Sequence, residues 1–242
     1  GENATVRGEL LINGANGKYE GFPYPLRDIT SSIKFHDNQI ELVYLHALGT
    51  NGDKVHISGD IEASQDYLVV DLHLHAPHAP LDSALHDALP EDLGKVMSKL
   101  FDVEAFQGMK NALPESYGKA YSFGGVIDLD LDIYHDSRKG DEVTVQGEVT
   151  FEDVGILYAD FPYPVTLQKG KVLVKKEGIF IPNGEVIMFE GAGGGMGELE
   201  GAITFPQNGS ARPGLNVKLT NEWITSTLLE AVSKSSRDSH DL

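Results

Sequence analysis

The segment Asp71-Leu72-His73-Leu74-His75-Ala76-Pro77-His78 holds the residues whose types and spacing come nearest to chemistry. On a strand, alternate side chains share a face, so Asp71, His73 and His75 project together with His78 just beyond. His-x-His presents two imidazoles to one metal ion, and a carboxylate two residues away can ligate the ion or orient a ligand. Such a set would support a metal-dependent hydrolase using Asp71, His73, His75 and His78, which would carry stoichiometric zinc or manganese. The same residues also suit the wetted face of a sheet, where imidazoles are partly neutral at pH 7. Asp128, Asp130 and Asp132 alternate in the same way and resemble a calcium ladder. Calcium, however, takes six to eight oxygens converging from more than one element, and a solvated strand face needs none.

Other chemistries lack their residues. Cysteine is absent, which excludes thiolate catalysis and cysteine zinc sites. There is no G-x-S-x-G elbow, no H-E-x-x-H helix and no EF-hand spacing. The Gly191–Gly197 stretch GAGGGMG lacks the lysine of a phosphate loop and runs into another strand pattern, LEGAITF. The expectation is a protein with neither catalytic residues nor a cofactor.

The elements that position these side chains are strands. Ile33-Lys34-Phe35, Ile40-Glu41-Leu42, Val55-His56-Ile57 and Val70 to Leu74 alternate apolar with polar, and Ile127 to Ile133 sets four aliphatic residues against three aspartates. Turn residues separate the runs at Asp37-Asn38, Asn51-Gly52-Asp53, Lys139-Gly140-Asp141 and Asn183-Gly184. This predicts an antiparallel meander. Asp82 is a helix N-cap before Leu85, Ala88 and Leu89, and Pro90-Glu91-Asp92 opens a second helix through Leu93, Val96 and Leu100. The polar end KSSRDSHDL is expected to fray.

The plan occurs twice. Thr5, Val6, Gly8, Glu9, Tyr19, Phe22, Pro23, Tyr24, Pro25 and Ile40 each have an identical residue 139 positions later, so TVRGEL meets TVQGEV and YEGFPYP meets YADFPYP. Towards the C-terminus the match resumes at an offset of 143, with Ile224, Thr225, Leu228, Ala231 and Val232 standing for Leu81, Asp82, Leu85, Ala88 and Leu89. The two units expected are 1–135 and 136–242, the second cut off within its C-terminal helix, packed as one continuous body. Phe-Pro-Tyr-Pro, with two prolines lacking donors, is expected at a crossover or an edge.

The formal charge of −18 opposes binding to nucleic acid and to anionic membrane surfaces. No apolar run is long enough to span a membrane, and the start GENATV has no signal-peptide pattern, so a soluble fragment is expected. What remains is the apolar face of the strands: Ile33, Phe35, Ile40, Leu42, Ile57, Val70, Leu72, Leu74, Leu129 and Leu131, with Val172, Val174, Ile179 and Ile181 in the second copy. Such a face either closes on itself or holds an apolar ligand.

Y-x-x-FPYP, the strand pair with glycine-containing turns, HAPLDSALHDALP and LFDVEAFQGMKNALP together resemble large AsmA-like bacterial envelope proteins, relatives of TamB. That resemblance covers nearly the whole chain. It implies a mainly β fold with a few α-helices: an elongated, repeat-built antiparallel sheet, as an open groove or a sandwich, with helices after each meander. It further implies conduction of phospholipid or fatty-acyl chains in the periplasm, an inner-membrane anchor outside this fragment, and no catalytic residues. The alternative is a structural or protein-interaction module of a large envelope protein with a closed core, whose partners are other envelope proteins.

Overall fold

A computed structural model describes residues 5–19, 22–101, 124–159, 161–205, 211–224 and 226–238. The fold is mainly β: twelve strands form one large antiparallel sheet, accompanied by three helices among the described residues. Strands β1 (Arg7–Tyr19), β2 (Phe22–His36), β3 (Gln39–Leu48), β4 (Lys54–Ala63) and β5 (Leu68–Pro80) are sequential neighbours, as the short turns between them require. Asp37 adopts φ +56° in the β2–β3 turn and Gly52 φ +92° in the β3–β4 turn.

Helices α1 (Ser83–Ala88) and α2 (Glu91–Leu100) follow, then β6 (Val126–Asp136) and β7 (Val143–Tyr158). The chain continues through β8 (Phe161–Lys175), β9 (Gly178–Phe180), β10 (Ile187–Gly191), β11 (Met196–Thr204), β12 (Arg212–Thr220) and α3 (Ser226–Asp238). The sheet order is β1-β2-β3-β4-β5-β6-β7-β8-β10-β11-β12, with β9 pairing β11 and β8. The bounds of β8 lie 139 residues after those of β2 at both ends, and α3 begins 143 residues after α1. The counterpart of β3 is broken into β9 and β10, because Pro182-Asn183-Gly184 interrupts it.

Two compact units emerge: residues 1–90, 127–149 and 173–176 in one, and 91–126, 150–172 and 177–242 in the other. They are not contiguous in sequence, since the long strands β7 and β8 contribute to both.

In the first unit, Asp82 caps α1 as expected, its Oδ1 accepting from the Leu85 amide at 2.9 Å while Thr50 Oγ1 donates to Oδ2 at 2.7 Å. Leu85 and Ala88 are buried. The β6–β7 turn is fixed by Asp136, a buried carboxylate bound by Arg138 Nε at 2.8 Å and Lys139 Nζ at 3.3 Å. The Arg138 hydrogen bonds hold its carboxyl far below the usual carboxylate range. The Arg138 guanidinium also lies 4.7 Å from the centre of the Tyr67 ring.

In the second unit, the end of α2 is tied to the end of β7: the Ala159 amide just past β7 donates to the Lys99 carbonyl at 2.7 Å, and Phe101 just past α2 bridges to the fully buried Leu157. Helix α3 runs through Lys234 to Asp238, so the first part of the polar end is helical rather than frayed. Most of LFDVEAFQGMKNALP lies outside the described residues.

The expectation for Phe-Pro-Tyr-Pro is corrected. Both copies open a strand inside the sheet, β2 and β8, rather than forming a crossover or an edge. Proline is tolerated in β2 because the ladder to β3 begins only at Arg27, beyond Pro23 and Pro25, and the ladder to β1 shifts register there.

Candidate functional site

Register assigns the first unit's side chains to two faces. One ladder row runs Gly8, Phe35, Ile40, Ile61, Val70; the next on that face runs Leu10, Ile33, Leu42, Gly59, Leu72; a third runs Ile12, Ser31, Leu45, Ile57, Leu74. All eight of the expected apolar residues from β2 to β5 therefore share a face. Leu129 and Leu131 of β6 join them, because Asp130 and Asp132 point the other way, to His75 and His73. Ser31, a buried hydroxyl within this face, is satisfied by donating to the Tyr44 carbonyl at 2.8 Å. The Phe35 ring lies across Gly8, filling the place of the missing side chain.

Burial on this face is graded. Leu42, Val70, Leu74, Leu129 and Leu131 are buried; Ile33, Phe35, Ile40, Ile57 and Leu72 are half-buried; Leu10 on β1 is exposed. In the second copy Val174 and Ile181 are buried, whereas Val172 and Ile179 are half-buried.

The opposite face is polar and holds the imidazoles. Ladder pairing sets Thr30, His46, His56 and His75 side by side across β2 to β5. The His46 and His56 ring centres lie 4.6 Å apart, edge to face, and those of His56 and His75 lie 6.3 Å apart. Carboxylates of β6 then close the row: His75 Nδ1 is 3.4 Å from Asp130, His73 Nδ1 is 2.9 Å from Asp132, and the His78 amide donates to Asp128 at 2.7 Å. Asp71 sits elsewhere, opposite Asp60 in a row that also holds Glu9, Lys34 and Glu41.

The expected constellation is thus divided. His73 and His75 meet β6 carboxylates, Asp71 does not join them, and among the described residues no group of three or more His, Asp or Glu is arranged to hold a metal. Asp71 instead lines a surface cavity of about 670 Å³ at the other end of the strands, with Arg7, Glu9, Lys34, Glu41 and Asp60. Phe35, Ile40 and Ile61 of the apolar face line it as well.

His46 and His56 were not singled out in the sequence, because neither sits in a local motif; only the strand register aligns them with His75. Burial, then the neighbouring His46, His75 and Lys54, lower the pKa of His56. A histidine depressed in the folded state favours the unfolded chain once pH falls below its unfolded value of about 6.5. The stability that neutral His56 supports is therefore complete above that pH and is lost as pH falls towards the folded pKa. The expected result is that His56→Gln gains thermal midpoint relative to wild type between pH 7 and pH 5, as read by calorimetry. A gap constant over that range would show that crowding does not hold His56 neutral.

Comparison with protein-family models, curated proteins and solved structures finds no match to this chain. Among the described residues no helix is long and apolar enough to cross a membrane.

Proposed function

We propose that the chain is a non-enzymatic binding module for phospholipid or fatty-acyl chains of the bacterial cell envelope, acting through the apolar face of β1 to β4. The observation that carries this reading is the grading of that face. Alongside buried Leu42, Val70 and Leu74, register-matched apolar rows carry half-buried Ile33, Phe35, Ile40, Ile57 and Leu72 and end at exposed Leu10 on the edge strand. An acyl chain laid along these rows would gain about 0.8 kcal/mol for each methylene removed from water. Its headgroup would stay in water at the exposed edge of the face, beside Arg7 and Lys34. The resemblance to AsmA-like proteins supports a periplasmic location and a transport role.

A second reading has its own observation. Val70, Leu74, Leu129 and Leu131 are buried by the chain itself, as expected of a closed core in a structural or protein-interaction module.

Native mass spectrometry of the freshly purified chain, with solvent extraction of bound molecules, separates the two. Bound phospholipid or fatty acid is expected, lost in Phe35→Glu and Ile40→Glu. These half-buried sites are better probes than Leu129 or Leu74, where a buried unpaired charge would unfold the chain; circular dichroism verifies that the variants remain folded. A clean mass that persists after incubation with phosphatidylethanolamine–phosphatidylcholine vesicles, which carry no net charge, would overturn the lipid reading and favour the closed module.

A further inference from the structure

Four Asn-Gly pairs lie among the described residues: Asn13-Gly14, Asn16-Gly17, Asn51-Gly52 and Asn183-Gly184. Their shared chemistry is self-modification. The main-chain nitrogen of the following residue can attack the asparagine side-chain carbonyl, and glycine there leaves that nitrogen unhindered and its backbone free to rotate. The attack needs a carboxamide and a following amide that are both unengaged.

Three of the pairs are held. Gly52 donates its amide to the Gly49 carbonyl at 3.2 Å, and Asn51 Oδ1 accepts from the Asp53 amide at 3.3 Å. Asn16 Oδ1 accepts from the Asp28 amide at 3.1 Å, and Asn13 stands opposite Thr30 in the β1–β2 ladder. Asn183-Gly184 differs. Both residues are exposed in the turn between β9 and β10, and nothing lies within 4 Å of the place where a side chain on Gly184 would begin. The turn is closed by the Glu185 amide, which donates to the Pro182 carbonyl at 3.0 Å. That bond leaves the Gly184 amide and the Asn183 carboxamide without partners among the described residues.

We propose that Asn183 is a site of spontaneous deamidation, modified faster than Asn13, Asn16 and Asn51. The Gly184 nitrogen loses its proton and bonds to Asn183 Cγ, and the side-chain nitrogen leaves as ammonia, giving a five-membered succinimide. Water then opens the ring at either carbonyl. One opening gives an ordinary aspartyl linkage, the other an isoaspartyl linkage in which the main chain runs through the former side chain. Water is the only co-reactant. Either product adds a negative charge two residues from Glu185, whose carboxylate lies 3.8 Å from Lys171 of β8. The isoaspartyl product also lengthens the main chain by one carbon inside the Pro182–Glu185 turn, which removes the hydrogen bond that closes it.

The test incubates the whole chain in neutral buffer made with heavy-oxygen water and follows each Asn-Gly peptide by mass spectrometry. Labelled deamidation at Asn183 is expected about tenfold faster than at Asn16 or Asn51, the factor contributed by one hydrogen bond of ordinary strength that must first be given up. Isoaspartate is expected among the products. In urea, where all four pairs lose their contacts, the rates are expected to converge. A rate at Asn183 no greater than at Asn16 or Asn51 in the folded chain would overturn the proposal. So would a ranking unchanged in urea, which would place its cause in neighbouring residues rather than in the fold. Product without isoaspartate would replace the succinimide by direct hydrolysis and overturn it as well.

Discussion

Gly59→Ala is expected to destabilise the folded chain by about 3 kcal/mol, read as a fall in the urea midpoint with an unchanged m-value. Gly59 lies within β4 at φ +140°, a conformation that side-chain-bearing residues rarely adopt. It also packs against the neighbouring strand so closely that an added Cβ would run into the Asp71 carbonyl oxygen of β5. Relieving that collision means separating two strands whose ladder continues on both sides of the glycine. Gly147 repeats the arrangement in β7, at φ +146° and against the Asp130 carbonyl of β6, so Gly147→Ala should cost a similar amount. Gly52→Ala is the control: φ is +92° but nothing lies within 4 Å, so only the backbone preference of about 1 kcal/mol is lost. Equal effects at Gly52 and Gly59 would show that strand approach is not the cause. Gly59 stands between Leu42 and Leu72 in an apolar row, on the face proposed to hold an acyl chain.

Face assignment was legible in the sequence because alternation is a local property: Val70, Leu72 and Leu74 lie on one face whatever they pair with. Helix α1 was legible for the same reason, since Asp82 and Leu85 are within one turn. Alignment between strands was not. His46, His56 and His75 come from three strands, and no spacing along the chain states that the β2–β3 and β3–β4 ladders shift register between them. The degree of burial was equally hidden. Leu10 and Leu74 carry identical side chains on one face, and they differ because among the described residues β1 has one neighbour and β5 two. The surface cavity has no sequence signature, as its lining is gathered from five strands. Phe-Pro-Tyr-Pro was read from its prolines, which are only tolerated, when its tyrosine is the residue that the fold uses.

That tyrosine carries the second large effect: Tyr163→Ala is expected to cost about 4 kcal/mol, against about 1 kcal/mol for Tyr163→Phe. Tyr163 is 2% exposed and among the largest fully buried side chains, packed beside Phe161 at a ring separation of 6.2 Å. Its hydroxyl accepts from the Gly193 amide at 2.9 Å, and the Pro164 carbonyl next to it accepts from the Ala192 amide at 3.0 Å. The motif therefore anchors the glycine-rich turn that joins β10 to β11. Tyr24 does the same in the first unit, its hydroxyl 3.1 Å from Thr50 Oγ1 in the turn between β3 and β4. Truncation to alanine removes the ring and the anchor together, whereas phenylalanine keeps the ring and removes the hydroxyl that accepts from the Gly193 amide. Denaturant unfolding gives the two energies, and amide exchange at Gly193 reports the turn, where faster exchange is expected in both variants. Unchanged exchange in Tyr163→Phe would mean that the turn is held by its glycines alone. If Tyr163→Ala cost no more than Tyr163→Phe, the buried ring would not be part of the core. Duplicated FPYP would then owe its recurrence to the prolines after all.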